Sequence, residues 1–220
     1  MVASGLTFLV GMLVAAVPYY AGKEINWKRA VLSDMASPGD NPRGYLVADG
    51  AVLLSGLLLV PVALWLCRVL CGLHRGAART GAGLLMAGLA GVVAIGVTGP
   101  FVSGYSLSHI YLAYATFILA AIGMLVLLGL TTRWELLRGS SRGLLTMAVV
   151  KGLVVVFLLW LLAGEWKDTG QSFFDGSTLW QSLAFCEWAL CVESFVCLAV
   201  LAGAAARVEA RSYLVAAERP

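Results

Sequence analysis

Four ionisable side chains lie inside long apolar stretches of this sequence: Asp49, Lys151, Glu187 and Glu193. On insertion scales a charged side chain at the centre of a bilayer costs about 3 kcal/mol, unless it faces protein or water. We therefore expect these side chains to face the interior of a helical bundle. Each one marks a candidate functional or structural site.

Several polar residues are expected at one depth, near the outer surface of a membrane. Asp49 lies about one turn inside its apolar stretch, and Glu187 about two to three turns inside another. His109 begins a third stretch, and the first outer loop contributes the adjacent residues Ser33 and Asp34. This shared depth predicts a pocket for a lipid headgroup. Its predicted contacts are Ser33, Asp34, Asp49, His109 and Glu187.

The same residues allow a catalytic interpretation. A histidine beside an ester of the outer leaflet would act as a general base, which makes His109 a catalytic candidate together with Asp34 and Glu187. The alternative function is therefore an intramembrane acyltransferase or hydrolase. Ser33, His109 and an aspartate have the residue types of a catalytic triad, but no nucleophile-elbow glycines surround Ser33.

Lys151 and Glu193 favour a structural interpretation. An ion pair between the fifth and sixth stretches would neutralise two charges that are costly when separate. If the buried charges serve assembly alone, the protein would be a non-catalytic regulatory scaffold. The sequence thus leaves three main hypotheses open: lipid binding, catalysis and scaffolding. Small-ion transport is a weaker fourth, because one lysine and two or three carboxylates are few for a proton relay.

Six apolar stretches are long enough to position these residues across about 30 Å of hydrocarbon. The fold class predicted is an all-α, polytopic membrane protein, a six-helix bundle in which residues 1–220 form a single transmembrane domain. The predicted helices span about 6–20, 45–67, 81–101, 109–131, 143–163 and 179–206.

The distribution of lysine and arginine predicts that both termini are cytoplasmic. Nine basic residues follow the second, fourth and sixth stretches, on the side of the N-terminus, whereas five lie in the loops on the opposite side. Cytoplasmic loops carry the excess of basic residues in membrane proteins. The expected location is a membrane that the chain crosses several times, which in a bacterium is the inner membrane.

Composition excludes several classes of function. The chain is 60% hydrophobic, only 12% charged and has a net charge of +3, so membrane lipids are the expected partners and nucleic acid is not. The five cysteines form no CxxC motif, and no HExxH or P-loop motif is present. We expect no metal and no cofactor.

Small residues define faces on two of the stretches. Gly83, Ala87 and Gly91 recur every four residues in the third stretch and predict close helix packing, including a homo- or hetero-oligomer contact. In the fourth stretch His109 is followed by a face of small residues at three- and four-residue steps: Ala113, Thr116, Ala120 and Gly123. This spacing places His109 above a groove inside the bundle.

The order of these motifs resembles the Frag/DRAM/Sfk family of six-helix membrane proteins. The Ser33-Asp34 pair precedes a Pro-containing run at 39–45 (GDNPRGY), His109 opens an Ala/Phe-rich helix, and a Glu187-Trp188 pair lies in the last helix. The resemblance is closest to the branch that remodels lipids after GPI-anchor attachment. It implies a role in GPI-anchor or other lipid remodelling, with Ser33, Asp34, Pro42, His109 and Glu187 as the matching positions. It also implies a Golgi, lysosomal or plasma membrane as the location in a eukaryote.

Overall fold

The computed structural model describes residues 1–21, 32–99, 107–137, 142–165 and 183–217. These residues form seven helices. The helices are α1 (Val2–Tyr19), α2 (Leu32–Met35), α3 (Tyr45–Leu70), α4 (Arg75–Thr98), α5 (Leu107–Leu136), α6 (Arg142–Glu165) and α7 (Leu183–Ala217). All except the one-turn α2 are long and apolar enough to cross a membrane, which confirms the predicted all-α, six-helix fold class.

The helix ends differ from the predicted ones where polar residues extend an apolar stretch. Helix α4 begins six residues before the predicted residue 81, because the His74 ring caps its first turn by accepting a hydrogen bond from the amide of Ala77 (3.1 Å). Helix α7 continues beyond the predicted residue 206 to Ala217. Hydropathy alone marks the membrane-embedded part of a helix, so it does not detect such polar extensions.

Consecutive helices pack closely where glycine removes the side chain between them. A Cβ atom on Gly88 of α4 would lie 2.7 Å from the backbone nitrogen of Ala120 in α5, and one on Gly123 of α5 would lie 2.5 Å from that of Leu85. On the other side of α4, Gly96 approaches the backbone of α3 at Leu53. The order α3–α4–α5 is therefore fixed by backbone contact, the usual form of helix packing in membranes.

The N-terminal helix lies antiparallel to α3. Ser4, near the start of α1, donates a hydrogen bond to the carbonyl of Ser55 (2.9 Å), whereas Ala15, near its end, accepts one from Asn41, just before α3 (2.9 Å). Between these points Gly11 packs on Ala51. Helix α1 thus covers the half of α3 that carries Asp49.

Ion pairs join the opposite end of the bundle. Glu209 of α7 accepts hydrogen bonds from Arg68 (3.2 Å) and from the Trp65 ring nitrogen (3.1 Å), both in α3. Arg207 of α7 donates to the buried Glu135 of α5 (2.9 Å). The ends of α3, α5 and α7 therefore meet at one surface, as six antiparallel crossings require.

Candidate functional site

A cavity of about 220 Å³ lies in the half of the bundle opposite those ion pairs. Helices α1, α3, α4, α5 and α7 form its walls, and α2 with the turn after it lies at its polar end. Four of the five predicted contacts line it: Ser33, Asp34, Asp49 and Glu187. Residues from six separate segments of the chain thus meet at one site.

Most of the cavity wall is apolar. Its aliphatic and aromatic lining includes Leu59, Leu85, Leu89, Val92, Ile95, Phe117, Met124, Phe195 and Leu198. Small residues of α5 give it room, because Ala113, Thr116 and Ala120 all face the cavity. Such a lining favours an alkyl chain, and the carboxylates at one end provide contacts for a polar group.

Asp49 is the most unusual residue of this site. It is only 3% exposed, and neither carboxylate oxygen has a hydrogen-bond partner among the described residues. The carboxylate packs against Gly99, the residue directly after α4. A Cβ atom added to Gly99 would lie 2.2 Å from Oδ1 of Asp49. A buried charge without a partner is costly, and buried polar groups are almost always satisfied, so Asp49 is a candidate contact for a ligand group.

A second buried polar group on the cavity wall also has no partner in the described part of the chain. Thr116 of α5 is 2% exposed, and its hydroxyl forms no hydrogen bond there. In an α-helix a threonine hydroxyl usually bonds to the carbonyl one turn earlier, as Thr131 of the same helix does. The sequence analysis assigned Thr116 to a face of small residues that packs against other helices. Only the tertiary structure shows that its hydroxyl has no hydrogen-bond partner among the described residues.

Glu187 holds α2 against the bundle. Its Oε2 accepts hydrogen bonds from the amides of Leu32 (2.6 Å) and Ser33 (3.4 Å), and its Oε1 accepts one from the Ser33 hydroxyl (3.2 Å). The carboxylate therefore satisfies the free amides that begin a helix. Two predicted contacts, Ser33 and Glu187, bind each other, and both still line the cavity.

Asn41 is a structural residue that the sequence interpretation passed over. It is 1% exposed, and its amide group donates to the carbonyls of Ala15 and Met35 (2.9 Å each) while accepting from the amide of Gly44 (3.1 Å). One side chain thus ties the end of α1, the end of α2 and the turn before α3 together. The neighbouring Pro42, which the family resemblance singled out, is exposed and does not line the cavity.

Asp34 lies on the rim between α2 and the end of α1, where it forms a hydrogen bond with Tyr19. The neighbouring Tyr20 has a buried hydroxyl with no partner in the described residues. Burial raises the pKa of the Tyr20 phenol, and the negative charge of Asp34 raises it further. Tyr20 therefore stays neutral at physiological pH.

His109 belongs to the first turn of α5, but its side chain lies outside the described residues. The catalytic interpretation depends on this imidazole, so the acyltransferase or hydrolase stays a prediction. The interpretation of His109, Asp34 and Glu187 as catalytic residues stays a prediction with it. Within the described ranges no group of three or more His, Cys, Asp and Glu residues has a metal-binding arrangement.

Lys151 of α6 forms an ion pair with Glu193 of α7. Lys151 is fully buried, and the two residues do not line the cavity. The arrangement is the one expected from the sequence, a contact between the fifth and sixth spanning helices. The charges of this pair neutralise each other, whereas the Asp49 side chain has no such partner among the described residues.

Residues 1–205 match a family described as "Protein of unknown function (DUF998)". The chain belongs to the DUF998 family. No curated protein and no solved structure matches it. The resemblance to the Frag/DRAM/Sfk family is therefore wrong. The Ser-Asp, His and Glu-aromatic motifs specify only a few positions of the chain, so their order alone does not establish a family.

This correction removes the basis for a GPI-anchor role and for giving Pro42 a functional part. The DUF998 family assignment carries no activity of its own, so the site has to be interpreted from its geometry. That geometry belongs to an integral, multi-pass membrane protein with an interhelical cavity. The acidic end of the cavity is its most distinctive chemical feature.

Proposed function

We propose that this DUF998 protein binds a lipid or lipid-like amphiphile in the cavity between α1, α3, α4, α5 and α7. The observation that supports this function is the cavity itself, with an apolar wall and, near one end, the buried Asp49, which has no hydrogen-bond partner among the described residues. An amphiphile matches both parts, because its chain covers the wall and its head reaches the carboxylates.

The size of the cavity favours one alkyl chain. Its volume of about 220 Å³ is below the roughly 300–1,000 Å³ of pockets that enclose a whole drug-sized ligand. A two-chain lipid would therefore place at most its head and part of one chain inside. The rest would lie against the exposed apolar faces of the bundle, such as those of Leu57, Leu58 and Val97.

Blocking the cavity tests this function. Ala113 lines the cavity from α5, so Ala113→Trp would place an indole where the chain of the amphiphile lies. Ala115, two residues further along the same helix, is exposed on the outside of the bundle and provides the matched control Ala115→Trp. Native mass spectrometry of the three proteins released from nanodiscs would measure the bound lipid.

We expect the wild type and Ala115→Trp to retain lipid and Ala113→Trp to lose it by about tenfold, or 1.4 kcal/mol. The thermal unfolding midpoint of each variant would show whether it is folded, and Ala113→Leu would replace the tryptophan variant if that did not fold. Equal lipid occupancy in all three proteins, or none in the wild type, would contradict the proposal.

A further inference from the structure

The charge of the cavity lining restricts the chemistry of its ligand, if the proposed binding function is correct. Four carboxylates line the cavity: Asp34, Asp40, Asp49 and Glu187. Within the described residues no lysine, arginine or histidine lines it. Among these described residues a phosphate or carboxylate head would meet negative charge without a compensating cation, in surroundings where water screens poorly.

The four carboxylates differ in what they already bind. Glu187 accepts hydrogen bonds from the start of α2, Asp34 bonds to Tyr19, and Asp40 is exposed at the rim. Asp49 alone among these four is both buried and without a hydrogen-bond partner in the described part of the chain. A ligand that supplies a positive charge and N–H donors would pair with Asp49 as Lys151 pairs with Oε2 of Glu193 elsewhere in the bundle.

We propose that the cavity selects an amphiphile with an ammonium head and a single alkyl chain, and that its head pairs with Asp49. The Thr116 hydroxyl is also buried, has no hydrogen-bond partner among the described residues and belongs to a residue of the cavity wall, so it is a further polar contact for such a ligand. Glu187 is a positioning residue, because its hydrogen bonds hold α2 at the polar end of the cavity.

Three probes with the same chain and different heads test this selectivity. Dodecylammonium, 1-dodecanol and dodecanoate would be titrated separately into the detergent-solubilised protein, and native mass spectrometry would measure the bound fraction. The variant Asp49→Asn keeps the size of the side chain and removes its charge. The variant Glu209→Gln removes a charge from the ion-pair surface at the other end of the bundle and serves as the control.

We expect dodecylammonium to bind the wild type and Glu209→Gln at least about tenfold more tightly than the other two probes. Asp49→Asn should lose that preference. If this variant does not fold, the ranking of the three probes on the wild type still tests the charge selectivity.

Preferential binding of dodecanoate, or equal binding of 1-dodecanol, would overturn the inference while leaving amphiphile binding intact. A preference for dodecylammonium that persists in folded Asp49→Asn would overturn the role of Asp49. If none of the probes binds and no lipid is released from the wild type, the proposed function fails as well.

Discussion

Carboxylates of similar sequence context have different surroundings in this bundle. Asp49, Glu187 and Glu193 all interrupt apolar helices. Glu193 faces a buried lysine, Glu187 faces helix amides, and Asp49 faces a cavity. A charge on any of these three side chains would be costly in a bilayer. The partner of each carboxylate decides whether the residue stabilises the fold, and for Asp49 the proposed partner is a ligand.

The Lys151–Glu193 pair provides a prediction at the residue scale. Lys151→Met leaves the largely buried Glu193 without its cation, and Glu193→Leu leaves the fully buried lysine without its anion. Removing one partner of a buried pair costs about 3–5 kcal/mol, whereas replacing both with apolar residues is often neutral. Each single variant should therefore unfold at a clearly lower denaturant concentration, and the double variant should return close to the wild type.

Circular dichroism during denaturation in detergent would measure these stabilities. Additive losses in the double variant would show that the two charges act independently, contrary to this prediction. Lipid binding measured on the refolded double variant would separate the structural role of the pair from the function of the cavity. We expect that binding to be unchanged, because neither residue lines the cavity.

The glycines of helix α4 lie in two different environments, one against a neighbouring helix and one on the outside of the bundle. Gly88 lies against the backbone of α5, whereas a Cβ added to Gly83 would contact nothing within 4 Å. The stripe of Gly83, Ala87 and Gly91 predicted from the sequence is therefore divided in the folded chain. Gly83 and Ala87 are exposed on the outside, and Gly91 packs against Thr116. The predicted oligomer contact through this helix stays a prediction.

A matched pair of substitutions tests this packing at the element scale. Gly88→Ala places a methyl group 2.7 Å from backbone and side-chain atoms of Ala120, so α4 and α5 must separate. Overpacking of this kind costs about 1–3 kcal/mol. Gly83→Ala meets open space and should be neutral or stabilising by up to about 1 kcal/mol through helix propensity. Equal unfolding midpoints for the two variants would contradict this assignment of faces.

The whole molecule has two chemically different ends. One end holds the cavity and its carboxylates, and the other holds ion pairs that join α3 and α5 to α7. Because the number of spanning helices is even, the start of α1 and the end of α7 are expected on the same side of the membrane. Since the end with the ion pairs carries most of the basic residues, the positive-inside rule predicts that it is cytoplasmic and that the cavity lies in the outer half of the bilayer.

Cysteine labelling in intact cells tests this orientation. Asp40 is exposed at the cavity end, and Arg75 is exposed at the opposite end. In a background without Cys67 and Cys71, a membrane-impermeant maleimide should label Asp40→Cys directly. It should label Arg75→Cys after permeabilisation. The reverse pattern would invert the topology and place the cavity in the inner half.

The sequence by itself determined the class of the protein and the depth of its polar residues. Apolar length is a local property, so six spanning helices could be read without tertiary information. Depth follows from residue number along a helix, and it placed Asp49 and Glu187 at similar levels. The positions of Lys151 and Glu193 along their helices likewise placed them at similar depths, so that an ion pair between them was expected.

The tertiary structure alone decided which of these residues have partners. The one-turn α2 and the contacts of Asn41 depend on how the outer loop folds back onto the bundle. A helix of four residues is too short to show a hydrophobic periodicity, so the sequence does not predict it. Glu187 forms hydrogen bonds, whereas Asp49 forms none with the described residues. This difference depends on which helices are neighbours. The depth of a residue follows from its position along one helix, whereas a hydrogen bond between helices depends on the lateral positions of two helices.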